Sequence, residues 1–399
     1  MLSTIQKLAQ KEVDTALALY QYLHKHPELS FKEFNTSLRI AEELQKIGVE
    51  VFTGVGGTGV IALIEGEKSG PTIAVRAELD ALPIQEQTGL NFASVSPNVM
   101  HACGHDMHMA NLVATAKVLL QMRHSIRGKV MLVFQPGEEL LPGGASLILE
   151  SDVFKKNMPD IMMGWHILPE LPVGVAGFRS GSYMASGDEL YLTVKGKGGH
   201  AALPHQLTDT VLIASQIVVA LQQVVSRKAP SAIPTVLSIG KIVGNGATNI
   251  IPNEVNIEGT FRTMNEEWRA KAHQQIVQVA KGIAQSMGAD CEVEIKNGYP
   301  TLFNNPYLTQ NAIKYASQFL GSDKVIELPV RMTTDDFAYY AQKIPSVYFR
   351  MGVGNDNLSG GALHSSNLQI DETVLDHSIG LTAWMVISLL NSFDNAMFA

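Results

Sequence analysis

Apolar and charged residues recur at helical spacing through MLSTIQKLAQKEVDTALALYQYLHKHPEL, and again through TSLRIAEELQKIG, so both stretches read as amphipathic surface helices. The pattern then shortens. GVIALIEG, TIAVRAELD, KVMLVFQPGEE, DIMMGWHI and, far downstream, SVYFRMG are short, apolar and rich in branched residues, as buried strands of a mostly parallel sheet should be. Between the second and third of these, MANLVATAKVLLQM has helical periodicity, and Asp106 just ahead of it is expected to cap that helix or to support a ligand. Strands alternating with helices predict an α/β fold with a mostly parallel central sheet flanked by helices.

Near residue 184 the pattern changes. DELYLTVKGKGG reads as a strand, DTVLIASQIVVALQQVVS as a helix, AIPTVLSIGKIVG and EVNIEGTFRT as strands, EEWRAKAHQQIVQVAKGIAQSMG as a helix and CEVEIK as a strand. This βαββαβ order is that of a ferredoxin-like unit. Because α/β patterning resumes with NPYLTQNAIKYASQFLG and SVYFRMG, the unit is expected as an insertion at 184–298, splitting a first domain into 1–183 and 299–399.

At 399 residues the chain is long enough for two cores, in keeping with that division. A net charge of -8, from 30 Lys+Arg against 38 Asp+Glu with no basic block, argues against a nucleic-acid partner, whose binding rests on phosphate neutralisation. The N-terminus lacks the pattern of a secretory signal, and no stretch reads as the roughly 20 uncharged apolar residues that cross a bilayer, so no membrane partner is expected. The two cysteines, Cys103 and Cys291, sit in unlike contexts, which predicts reduced thiols and a cytoplasmic location. Cys291, in CEVEIK, reads as packing.

The densest chemistry is HACGHDMH, residues 101–108. Cys103 and His105 are two apart, so on an extended segment they project to one side and are able to share a cation, although a lone C-x-H pair is also compatible with chance. In FQPGEE, Glu138 and Glu139 follow a strand, where open α/β sheets bind ligands; a solvated loop is the plain alternative. Asp80, His166 and His364 stand at comparable places, each with a bland reading as a packing or surface residue. Together, Cys103, His105, Glu139, His166 and His364 form a thiolate, imidazole and carboxylate set suited to Zn²⁺ or similar transition metals rather than Ca²⁺ or Mg²⁺. Five donors exceed one tetrahedral site and match a pair of metals with open coordination, the equipment of amide hydrolysis, with Glu138 placed to move a proton. Two other readings stay open: Cys103 as a nucleophile activated by His105, which leaves Glu139, His166 and His364 without a task, and an inactive metal-binding dimer, which leaves Glu138 without one.

In their order along the chain, LHKHPELSF, RAELDALPI, HACGHDMH, FQPGEE, GWHI, GKGGHAALPH, TNIIPNEV, GTFR, DDFAYY and ALHS resemble the metal-dependent amidohydrolase and metallopeptidase family that includes aminoacylase, hippurate hydrolase, auxin-conjugate hydrolase and N-acetyldiaminopimelate deacetylase. The resemblance implies a catalytic domain with two divalent metals per subunit (Zn, Mn, Co or Ni) and a lid that often forms a homodimer. It implies metal ligands at Cys103, His105, Glu139, His166 and His364, and a general base at Glu138. Asp80 matches an acid that orients a metal-bound histidine or supports the centre. His200 matches an oxyanion-stabilising histidine, and Asn249 and Arg262 match substrate-holding positions, Arg262 through a carboxylate or else in a structural ion pair. The implied substrate is an N-acyl amino acid, with dipeptidase or carboxypeptidase action on short peptides as the alternative.

The chain departs from the usual motifs at Glu78 and Asp335, at SSNLQ after His364, and at LTDTV, and the first and third are expected to reshape the pocket. Among the remaining histidines, His24 and His26 read as lying near the site or ending a helix. His108 is expected to point away or to support a ligand, and His101 has no assigned role. His124, His205, His273 and His377 are read as structural or surface residues.

Overall fold

The first helix, α1 (Leu2–Lys25), turns Ile5, Ala9, Ala16, Leu19 and Leu23 inward, and α2 (Phe34–Lys46) does the same with Ile40, Ala41 and Leu44. The computed structural model describes residues 1–355 and 360–393. The chain divides into two units, the first formed by Met1–Gly181, Phe303–Pro329 and the chain from Asp336 onward, the second by Ser182–Leu302 with Val330–Asp335.

In the first unit β1 (Glu50–Val55) and β2 (Gly59–Glu65) form a hairpin, followed by β3 (Lys68–Glu78), α3 (His105–Gln121), β4 (Arg127–Gln135), β5 (Ile161–Pro172) and β6 (Ala176–Phe178). The second unit contributes β7 (Asp188–Lys195), α4 (Thr210–Gln223), β8 (Thr235–Val243), β9 (Glu254–Thr263), α5 (Glu266–Ser286) and β10 (Asp290–Asn297). The chain then returns to the first unit with α6 (Pro306–Leu320), β11 (Val325–Glu327), β12 (Ser346–Gly354) and α7 (Val374–Ser392).

The first unit's eight-stranded sheet has the order β1-β2-β4-β3-β5-β12-β6-β11. Its centre is parallel, through β4–β3, β3–β5 and β5–β12. GVIALIEG, expected among the parallel strands, instead pairs antiparallel with both β1 and β4. The short turn through Gly56 and Gly57, both at positive φ, can only join antiparallel neighbours. β1 had escaped notice because much of EVFTGV is exposed and carries no apolar run.

α3 and α7 are buried on nearly every side, which explains their lack of a polar face. By length and composition alone, Val374–Ser392 and Thr210–Lys228 are long and apolar enough to cross a membrane, a test that buried core helices also pass. Val374–Ser392 is apolar because it packs inside the first unit's core.

The second unit is a four-stranded antiparallel sheet, order β8-β9-β7-β10, packed with α4 and α5. Alternate residues of β7 (Leu190, Leu192, Val194) meet Ile213, Ile217 and Leu221 of α4 and Ala272 and Ile276 of α5 in its core. Cys291 of β10 is buried there, as packing requires. Asp188 accepts from Arg269 Nε at 3.0 Å and from the His273 ring at 2.8 Å, which gives His273 its structural role.

α1 is tied to α3 by charge. His24 is buried between Asp106, at 2.7 Å, and Glu86, at 3.2 Å. Burial opposes its protonation, but these two carboxylates prevail and raise it to about 9. The folded value lies above the unfolded one, so this stabilisation is complete below pH ~6.5 and fades as pH rises towards 9. Thermal unfolding across that interval should show a loss of up to roughly 3 kcal/mol. The His24→Asn variant, compared over the same pH range, should lack this component of the loss.

Candidate metal centre

Residues 76, 78 and 80 alternate onto one side of the chain at the end of β3, and all are buried. The Asp80 carboxylate accepts the Ser30 hydroxyl at 2.7 Å and the Glu139 N–H at 2.9 Å. Burial pushes its carboxyl up, while hydrogen bonding to His105, the Glu139 amide and Ser30 holds it below the usual range.

Gly104, at φ +80°, turns the chain directly into α3, so the helix begins at His105 and Gly104 occupies the N-cap position. The expectation that Asp106 is the cap is corrected: Asp106 lies in the first turn, where it accepts the Met107 N–H at 2.9 Å and holds His24. The bend places Cys103 and His105 at the mouth of the helix.

Backbone bonds set two buried imidazoles, those of His105 and His166. His105 Nδ1 lies 2.8 Å from the Asp80 carbonyl, so it donates there and turns Nε2 inward, where Nε2 has no hydrogen-bond partner. His166 Nδ1 likewise donates to the Ile167 carbonyl at 2.8 Å, leaving Nε2 3.2 Å from Cys103 Sγ. His166 was expected at a strand end. β5 runs on to Pro172, but its ladder with β3 stops at Gly164, so His166 lies past the last β3–β5 pair. The same early stop frees the Ile167 N–H, which His108 Nε2 accepts at 3.1 Å while His108 Nδ1 donates to Glu78 at 2.8 Å.

His364 comes from the loop after β12. Its N–H binds the Ala102 carbonyl at 2.8 Å, its φ is +64°, and its ring is exposed, with Nε2 3.1 Å from Glu139 Oε1. Two trios of donor atoms result, each within 4.8 Å: Cys103, His105 and His166, and Cys103, Glu139 and His364. Cys103 belongs to both. Glu138, buried, lies within the same span of His105 and Glu139.

The trios fit divalent metal. His105 Nε2 is buried without a hydrogen-bond partner, in a cluster whose donors are sulfur, nitrogen and carboxylate oxygen. The surrounding charge asks for a cation. Burial and the carboxylates of Glu139 and Glu138 push the Cys103 thiol up; burial opposes a proton on His105, yet Glu78, Asp80 and Glu139 raise it to about 10. Both partnered ring nitrogens are turned outwards, as metal-binding histidines require.

Glu78, expected to reshape the pocket, instead faces Arg76, to which it is hydrogen-bonded, and His108. Arg76 also holds Asp336 at 2.7 Å, and Asp336 in turn accepts Gln135 and the Ala145 N–H. Sequence reasoning missed Arg76 and Asp336. The alternation of Arg76 with Glu78 and Asp80 along one strand was the available signal. His101 is buried with neither ring nitrogen hydrogen-bonded, and burial lowers it to about 4.

His200, Asn249 and Arg262 lie in the second unit. His200 pairs with Ile250 in a two-residue ladder, and the Asn249 carbonyl accepts the Ala201 N–H at 3.0 Å, bringing these two together. Arg262 is separate. One Nη donates to the Met332 carbonyl at 2.9 Å, and among the described residues it makes no ion pair. Asp335 is buried in this unit too.

Gly104→Ala should be costly, because a Cβ at this left-handed position overlaps the Ile167 side chain. A loss of about 2 kcal/mol or more in chemical denaturation is expected, together with reduced uptake of divalent metal as Cys103 and His105 shift.

Residues 74–386, which include every donor above, match the model of Peptidase family M20/M25/M40. The chain is 40% identical over 347 residues to an N-acetylcysteine deacetylase of Bacillus subtilis, covering 86% of this chain and 90% of that protein. It is 39% identical over 368 residues to thermostable carboxypeptidase 1 of Saccharolobus solfataricus, covering 91% and 92%. The crystal structure of Bacillus subtilis YXEP, described as a dinuclear metal binding peptidase from the M20 family, superposes with a TM-score of 0.84 at 34% identity, over 96% of this chain and 100% of that one. The matched residues and the extent of these similarities place the chain in peptidase family M20/M25/M40, as a hydrolase acting on amide bonds.

Proposed function

We propose that the chain hydrolyses the amide bond of N-acyl amino acids, with Cys103, His105, Glu139, His166 and His364 holding two divalent cations and Glu138 as general base. The observation that carries this reading is the pair of donor trios sharing Cys103, with Glu138 beside them. Cations held there supply Lewis-acid polarisation of the amide carbonyl and of the attacking water. Glu138 takes the water's proton and delivers it to the departing nitrogen. Asp80 keeps His105 and the Glu139 backbone in register for this transfer.

In the second unit, His200 stabilises the oxyanion, and Asn249 and Arg262 hold the substrate, Arg262 through its carboxylate. Arg262 gives one N–H to Met332, leaving the rest of its fork for a carboxylate. We read this unit, 184–298 in its inserted part, as a ferredoxin-like lid, supported by its βαββαβ order. It also pairs two copies of the chain, for which the exposed Val211, Leu212, Val219 and Ile242 offer apolar surface. Two reduced cysteines fit a cytoplasmic location.

A deacetylase and a carboxypeptidase both stand among the relatives, so peptide cleavage is the companion reading. Cys103 as a nucleophile is disfavoured. A thiol hydrolase lowers its cysteine with nearby positive charge, whereas burial and two carboxylates raise this one.

Turnover of a panel of N-acetyl, N-benzoyl and N-aminoacyl amino acids decides between these substrates. Chelation should abolish that turnover and zinc or manganese should restore it; indifference to both steps would return Cys103 to the centre. Glu138→Gln should lower kcat by at least ~10²-fold with metal content unchanged, and wild-type turnover in this variant would refute the base assignment.

A further inference from the structure

The turn that carries Glu138 is held from both sides by buried carboxylates. On the far side, Asp80 accepts the Glu139 N–H. On the near side, Glu33, with no exposed surface, accepts the Gly137 N–H at 2.8 Å through Oε1. The same Oε1 accepts the Phe31 N–H at 2.8 Å, while Oε2 accepts the Thr58 hydroxyl at 2.6 Å. The Gly137 carbonyl is in turn bound by the Gly144 N–H at 3.1 Å.

Phe31 adds a steric lock. It adopts φ +62°, rare for an aromatic residue, and its ring lies so close to Gly137 that a Cβ there would overlap it. Gly137 itself is at φ +56°. A non-glycine residue held in a left-handed conformation against the residue before Glu138 is local strain kept in place by the surrounding bonds.

From this arrangement we infer that Glu33 is a positioning residue for the general base, fixing the Gly137 peptide and hence the aim of the Glu138 carboxylate. The inference rests on Glu138 being that base. Glu33 touches none of the reacting groups. It acts through length and acceptor geometry, because one oxygen must reach two amides 106 positions apart along the chain, Phe31 and Gly137 (137 − 31).

Two conservative variants separate reach from charge. Glu33→Gln keeps the length and the oxygen that accepts both amides, and its NH2 can donate to the Thr58 oxygen. Glu33→Asp keeps the charge but loses a methylene. Glu33→Asp should lower kcat by on the order of 10²-fold with KM and bound metal unchanged, whereas Glu33→Gln should stay within a few-fold of wild type.

Wild-type kcat in Glu33→Asp would overturn the proposal, as would a loss that tracks metal content or melting temperature. Loss in Glu33→Gln with full activity in Glu33→Asp would also overturn it, by showing that charge matters and reach does not. The Glu138→Gln control keeps the two readings apart: turnover there refutes the base itself, whatever the Glu33 variants do.

Discussion

Burying a carboxylate without a partner is prohibitively costly, and this chain buries Glu33, Glu78, Asp80, Asp106 and Asp336 with no exposed surface on any of them. Each must therefore be met by donors or positive charge, and the meeting places set the architecture around the site. Arg76 joins Glu78 to Asp336; His24 joins Asp106 to Glu86; Ser30 and the Glu139 amide converge on Asp80. Helices, strand ends and loops far apart in sequence are positioned by the demand that no charge be left alone.

That demand also divides labour among neighbouring residues. In HACGHDMH, Cys103 and His105 face the donor cluster, whereas Asp106 looks back to α1 and His108 looks to β3 and β5. His108 is held with Nδ1 protonated and Nε2 accepting, so both nitrogens are occupied by protein. Its neighbour one turn earlier, His105, has one nitrogen occupied and one turned inward. Two histidines of the same helix thus differ because one meets a carboxylate and a backbone N–H through both nitrogens, whereas the other meets Asp80 through one nitrogen alone.

The convergence of Cys103, His105, Glu139, His166 and His364 was legible because strand ends in a parallel sheet share an edge, so chemistry-bearing residues after separate apolar runs must approach one another. The mixed direction of the sheet was not legible, since a buried antiparallel strand is as apolar as a parallel one. Asp106 misled because a residue suited to capping preceded a helical pattern, while the turn was made by Gly104. Arg76, Asp336 and Glu33 escaped because the groups that meet these buried charges lie far away along the chain. Only the fold shows that Arg76 and Asp336, or Glu33 and Gly137, are neighbours. Within the second unit, the strand and helix order was readable, but Val330–Asp335 packs with it from beyond the insertion, where no change of pattern marks it.

Consider last the reach of the bonds around the QPGEE turn. Glu33 binds a residue 104 positions away, and Gln135 beside the turn binds Asp336 at a separation of 201. Closing loops of such length costs conformational entropy, and contacts of this range slow folding. The donor cluster is complete only when the segment after the second unit, which carries His364, has returned to the sheet.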